Sequence, residues 1–274
     1  MLKLVIALNI FLPIIYGLTT VLYGRYFINK KLKTAKWASF LLLCGTCLHL
    51  VFLVAKGWHF QRFPIESSFE SLSMLAFDIA VIYCVTERLK REYTTGIFFL
   101  SIVTLCQTVS TLLFRGEKTT NELLANPLFG VHASFTLLGL SALAIATLYA
   151  LMYCVLAKQI KKKQFGILYE GLPDLETLDS MRQNATICGI IVLGIGILLG
   201  HFWAYKLFGH FGLADPKVWI TDIALCAYAT IWWSTWKSGV HGLRTNILSV
   251  WLFVMLFTVV TVLEFFLNTF HRFV

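Results

Sequence analysis

The chain has 274 residues, of which 58% are hydrophobic and only 14% charged, with a formal net charge of +9. Apolar runs recur along its whole length, which excludes a soluble globular fold and makes an all-α, polytopic helical membrane protein the expected class. The excess of lysine and arginine then concerns topology and anionic lipid, not nucleic acid.

Eight spans are predicted, at about 4–24, 37–55, 69–86, 95–114, 129–157, 186–206, 218–236 and 246–268, each near the roughly 20 residues that cross a hydrocarbon core. Lipid offers no partners to bare backbone groups, so each span is read as a helix within one integral membrane domain, 1–274. The first span is expected to be an uncleaved anchor, because its basic cluster follows the apolar run and no small-residue cleavage site is evident.

Span two holds Cys44-Gly-Thr-Cys47, which has redox spacing but sits in mid-helix; all seven cysteines fall inside spans and are read as small packing residues. His49 follows, toward the outer end. Arg62-Phe-Pro-Ile-Glu66 supplies a basic, aromatic outer segment, and Ser67-Ser-Phe-Glu70 has the form of a capping box opening span three. Asp78 lies about 12 Å deeper along that span. An acid there is costly, and is either functional or neutral and hydrogen-bonded. Asp222 in span seven raises the same question.

His132 stands near the outer end of span five. In the loop over 158–185, Leu172, Leu175, Leu178 and Met181 recur at three-residue spacing, which predicts one short amphipathic helix resting on the bundle or the lipid. Its acidic face (Asp174, Glu176, Asp179) is read as solvated. The outer stretch from Gly200 to Trp219 is the most specific. Its aromatics, among them Phe202, Trp203, Tyr205 and Phe208, are read as a shelf for a flat conjugated ring, with Lys206 and Lys217 placed for carboxylates at the ring's edge. Asp215 is expected to be the N-cap, and Pro216 the first helical residue, of span seven. Glu264 lies two turns below His271 in span eight, read equally as a relay partner of that imidazole or as an interhelical hydrogen-bonding group.

Fifteen of the 23 lysines and arginines lie in alternate loops: Arg25, Lys30, Lys31, Lys33 and Lys36; Arg88, Lys90 and Arg91; Lys158, Lys161–163 and Arg182; Lys237 and Arg244. The positive-inside rule makes those loops cytoplasmic and both termini extracytoplasmic. Six histidines (His49, His59, His132, His201, His210, His271) then fall in or near the outer third, and only His241 on the cytoplasmic side. His132 and His271 are level in depth, one on each side of the aromatic stretch. Such a pair is able to supply two axial ligands to an iron porphyrin.

These pieces, in their order and spacing, resemble the CcsA/CcmC/ResC superfamily of haem-handling membrane proteins, most closely its HemX-like branch. The resemblance is carried by Arg62-Phe-Pro-Ile with Phe69-Glu-Ser-Leu72, His132-Ala-Ser-Phe, Leu172-Pro-Asp-Leu-Glu-Thr-Leu-Asp179, Leu198-Leu-Gly-His-Phe-Trp-Ala204, Asp215-Pro-Lys217 and Phe270-His-Arg-Phe273. It implies a CcsA-like core over about 60–274 behind a two-span segment, 1–58. It also implies non-covalent haem b held through iron by His132 and His271, with Trp203, Asp215, Pro216 and Lys217 matching the family's haem loop. The implied partners are haem, apocytochrome c and a CcsB/ResB-type membrane protein, in a bacterial inner membrane. The loop is worn down here to Gly-Leu-Ala before Asp215, and the span after it lacks the family's deeper histidine.

Three functions are open at this point. The favoured one is a haem-binding protein of cytochrome c maturation, without catalytic activity alone, that presents haem at the outer face. The alternative is a HemX-like regulator of haem biosynthesis acting on a cytoplasmic partner. A secondary transporter would call for internal inverted repeats, and no clear repeat is present.

Overall fold

Apolar residues run all the way round most of the long segments, as suits helices surrounded by lipid. A computed structural model describes residues 1–65, 67–114, 126–209, 216–239 and 242–266, with the side chains of Ser68, Phe208, Pro216, Lys217 and 260–266 outside that description. The described residues form helices and no strand: α1 (Leu2–Asn29), α2 (Leu32–Phe60), α3 (Ser68–Lys90), α4 (Gly96–Leu112), α5 (Pro127–Lys161), α6 (Ile167–Gly171), α7 (Leu175–Phe208), α8 (Pro216–Ser238) and α9 (Leu243–Phe266). Each predicted span corresponds to one long helix. Five of these, α1, α2, α3, α5 and α7, are long and apolar enough to cross a membrane; α4 and the described part of α9 are shorter apolar helices. On α1, Ile6, Ile10, Phe11, Ile14, Leu18 and Val21 face outward, an apolar surface suited to lipid.

The helices outrun their apolar cores until a terminating residue stops them. Lys30, Gln61 and Arg91 end α1, α2 and α3 in the left-handed conformation, with φ of 51°, 54° and 55°. Asn126 caps α5, its Oδ1 accepting from Leu128 N–H at 2.9 Å, and Pro127 takes the first helical position. Pro216 opens α8, as expected from the sequence.

Two of the sequence expectations for α7 are corrected. Residues 172–181 are not a separate amphipathic helix: α7 starts at Leu175 and runs unbroken into the apolar span. Nor do residues 200–208 belong to a loop, since α7 continues to Phe208 and stops at Gly209, the first residue there suited to a φ of 74°.

By internal packing the chain forms two compact units, Met1–Gly130 with Gly171–Pro173, and Val131–Glu170 with Asp174–Val274. In the first, α1 packs on α2 and α4, and α3 closes the ring by packing on both. Tyr16, Tyr23, Phe52, Tyr83 and Phe99 fill its core. Lys30 Nζ reaches the Gly171 carbonyl at 2.8 Å, tying the short 171–173 segment to the end of α1. In the second unit, Leu143 of α5, Leu193 of α7, Tyr228 of α8 and Leu256 of α9 meet in one buried cluster.

Candidate functional site

His132 lies in the second turn of α5, and α7 holds its ring in place. Its Nδ1 is 2.8 Å from the Gly196 carbonyl, which can only accept, so Nδ1 carries the proton and donates. The ring's lone pair is then on Nε2. Thr136 Oγ1 sits 3.4 Å from the same Nδ1 and donates to the His132 carbonyl at 2.9 Å. The ring rests where α7 has no side chain: a Cβ added at Gly200 would lie 2.5 Å from His132 Cε1. A carbonyl-fixed tautomer with an oriented ring is the usual arrangement of a metal-ligating histidine.

The aromatic stretch is a helix end. Trp203 is buried, whereas Phe202 and Tyr205 are exposed, so the three do not form a single shelf. Lys206 Nζ lies over the Phe202 ring at 5.0 Å. Phe208 ends α7 and Lys217 falls in the first turn of α8, their side chains outside the described residues. Asp215, His210, His241 and His271 lie outside the described residues altogether, as does the Glu264 side chain. Asp222 pairs with His201: Nε2 and Oδ2 are 3.3 Å apart, joining α7 to α8.

His49, whose role the sequence left open, is tied into the packing. It is fully buried in the first unit, in a chain of polar side chains. Ser73 Oγ donates to Gln107 Oε1 at 2.9 Å, which commits its one proton. Ser73 therefore accepts from His49 Nε2 at 3.0 Å, and His49 Nδ1 accepts from Tyr16 O–H at 3.0 Å. Both ring nitrogens are used in joining α1, α2 and α3, with Gln107 adding α4. Asp78 is also buried in this unit, in line with its placement inside the bundle.

Two buried charge clusters went unseen in the sequence. Ser67 does cap α3, accepting from Glu70 N–H at 3.2 Å, but the Glu70 carboxylate does not complete the expected capping box. It is held instead by Arg62, at 2.7 and 3.1 Å, and by Lys56, at 3.0 Å. Phe63, the next residue of that motif, packs where Gly130 has no side chain; a Cβ there would lie 2.0 Å from Phe63 Cδ2. In the second unit, Asp179 is buried, not solvated. It accepts from Arg182 Nε at 3.0 Å, Gln183 Nε2 at 2.8 Å and Asn246 Nδ2 at 2.8 Å, linking α7 to α9. The available signal was an ionisable residue beside a long apolar run: Lys56 just past span two, and Arg182 four residues before span six.

The sequence model of the family described as Cytochrome C assembly protein matches residues 16–271. Protein HemX of Bacillus subtilis is 24% identical over 220 residues, covering 79% of this chain and 79% of the relative. Protein HemX of Brevibacillus brevis is 22% identical over 266 residues, 96% of each. Cytochrome c biogenesis protein CcsA of Guillardia theta is 27% identical over 242 residues, covering 80% of this chain and 79% of that one.

Proposed function

The chain belongs to the cytochrome c assembly protein family, and from that premise we propose that it binds haem b and presents it at the extracytoplasmic face for cytochrome c maturation. The family match and the CcsA relatives support a role in cytochrome c biogenesis. One observation carries the finer reading. His132 is preset as a ligand, with Nδ1–H given to the Gly196 carbonyl, its ring seated on Gly200 and its lone pair on Nε2.

The donor chemistry fits haem iron, for which neutral imidazole is a common axial ligand. His271 is the second ligand in this reading. Trp203 and Phe208 border the ring, and Lys206 and Lys217, with Asp215 beside them, receive its carboxylates. Haem supplies the cargo; the chain's own residues hold it by ligation and burial and keep it accessible. Apocytochrome c and a CcsB/ResB-type membrane protein are the partners, and the site faces outward across a bacterial inner membrane.

The test is the absorption spectrum of purified protein with and without reductant. The native chain is expected to give the sharp bands of six-coordinate haem. His132→Ala and His271→Ala each weaken or lose them, added imidazole partly restores them, and His59→Ala leaves them intact. Gly200→Ala keeps both ligands but pushes a methyl into the His132 ring, so it is expected to lower haem occupancy several-fold. Unchanged low-spin spectra in both histidine variants overturn the ligation.

The two HemX relatives favour a second reading, a membrane regulator of haem biosynthesis that acts on a cytoplasmic partner. In that case the histidine variants leave cytochrome maturation normal, and variants at the basic end of the second unit change haem synthesis.

A further inference from the structure

We propose that residues 158–170, at the basic end of the second unit, form a docking surface for the anionic headgroups of the surrounding lipid. The stretch divides by chemistry. Lys158, Lys161, Lys162 and Lys163 come first, all exposed, and Glu170 is its one acid. Phe165, Ile167 and Tyr169 follow, large and apolar yet 61%, 73% and 38% exposed. The rings of Phe165 and Tyr169 stand together, their centroids 4.8 Å apart. Exposed aromatic and aliphatic side chains beside a row of cations make the pattern of a segment lying in a lipid interface.

The stretch is held at both ends by helices that are long and apolar enough to cross the membrane. It begins on α5, along which Leu151, Val155 and Ile160 already face outward. After α5 ends at Lys161, Lys163 turns the chain with a φ of 54°. Gly171, just beyond the stretch, lies against the end of α1. There Lys30, the C-cap of that helix, donates from Nζ to the Gly171 carbonyl at 2.8 Å, and a Cβ at Gly171 would strike the Phe27 ring. Residues 162–170 thus run between the ends of two spanning helices, at the level of the bilayer surface.

Lipid is the occupant these observations fit. The acids of the neighbourhood, Glu170, Asp174 and Glu176, all follow the lysines in the chain, and Asp174 is taken up in capping α7. The ammonium groups then meet phosphate, while the apolar side chains enter the acyl boundary beneath it. A nucleic acid or a free phosphate would use the lysines and leave Phe165 and Ile167 in water. A protein partner would cover both halves, but only lipid already adjoins the outward face of α5.

The test is amide hydrogen exchange of the full-length protein in nanodiscs of phosphatidylcholine with and without phosphatidylglycerol. Exchange over 162–170 is expected to slow several-fold when phosphatidylglycerol is present. Lys161→Gln, Lys162→Gln and Lys163→Gln together remove that difference. Phe165→Ser with Ile167→Ser reduces it although every lysine is retained. Thermal unfolding confirms that both variants fold. Equal exchange in the two lipids overturns the proposal and leaves the surface to a protein partner. So does slowing that survives the lysine substitutions, or that glycerol phosphate added to plain phosphatidylcholine discs reproduces. None of these residues belongs to the proposed haem site, so the two readings fail separately.

Discussion

Glu70 is the carboxylate on which two buried cations depend, Lys56 at 3.0 Å and Arg62 through two hydrogen bonds. Both cations and the carboxylate are almost fully shielded from solvent. Removing the acid takes from both buried cations the charge partner they share. Glu70→Gln is therefore expected to cost about 3–5 kcal/mol. Lys56→Met leaves the bidentate Arg62–Glu70 pair intact, at well under half that cost. Detergent-titrated unfolding followed by circular dichroism measures both. Equal losses for the two variants would contradict the assignment of Glu70 as the shared partner.

The start of α7 shows how an element's end is set by a single cap. Asp174 accepts from both the backbone N–H and the hydroxyl of Thr177, at 2.8 and 2.9 Å, and those bonds hold its carboxyl below the usual range. Asp174→Ala is expected to cost about 1 kcal/mol. A depressed folded pKa contributes stability that is present above the unfolded value, about 3.9, and is lost as pH falls through the folded one. The gap between native and variant unfolding midpoints should thus be full at neutral pH and shrink below about pH 4. A gap that persists in acid argues against the charged cap. The leucine spacing was legible in the sequence; the cap, read there as part of a solvated acidic face, and the length of α7 were not. Arg182, Gln183 and Asn184 look like a polar break before span six. Two of them are polar because they serve Asp179, which also meets Asn246 across on α9. Composition cannot show a partner 67 positions away in the chain. His132 was legible as a histidine standing apart in an apolar helix, but its seat on Gly196 and Gly200 appears only when α5 meets α7. The role of His49 was not legible, because burial, not depth alone, decides what an imidazole is free to bind.

At the scale of the whole molecule, topology turns on α8. The basic residues fall at alternate helix ends: at Lys30 and Lys31 between α1 and α2, Arg88 to Arg91 ending α3, Lys158 and Lys161 ending α5, and Lys237 ending α8 with Arg244 opening α9. That pattern needs every long helix, α8 included, to cross. Yet α8 carries Lys217, Asp222 and Lys237 and is not among the five helices apolar enough to span by themselves. Its tryptophans are spaced as those of a crossing helix would be. Trp219 stands at one end and Trp236, stacked on Trp232 with ring centroids 6.2 Å apart, at the other. The two ends are about 25 Å apart along the helix, close to hydrocarbon thickness, and aromatic belts sit at just these interfaces. Asp222 is accommodated because His201 pairs with it near the first belt. Reporter tags at positions 33, 161 and 239 are therefore expected to read cytoplasmic, and one at 209 extracytoplasmic. Tags at 209 and 239 that read on the same side would remove α8 from the membrane and put the two termini on opposite faces. A tag at 161 that reads extracytoplasmic would invert the molecule and carry His132 with it to the cytoplasmic face, ending the case for haem presented outside.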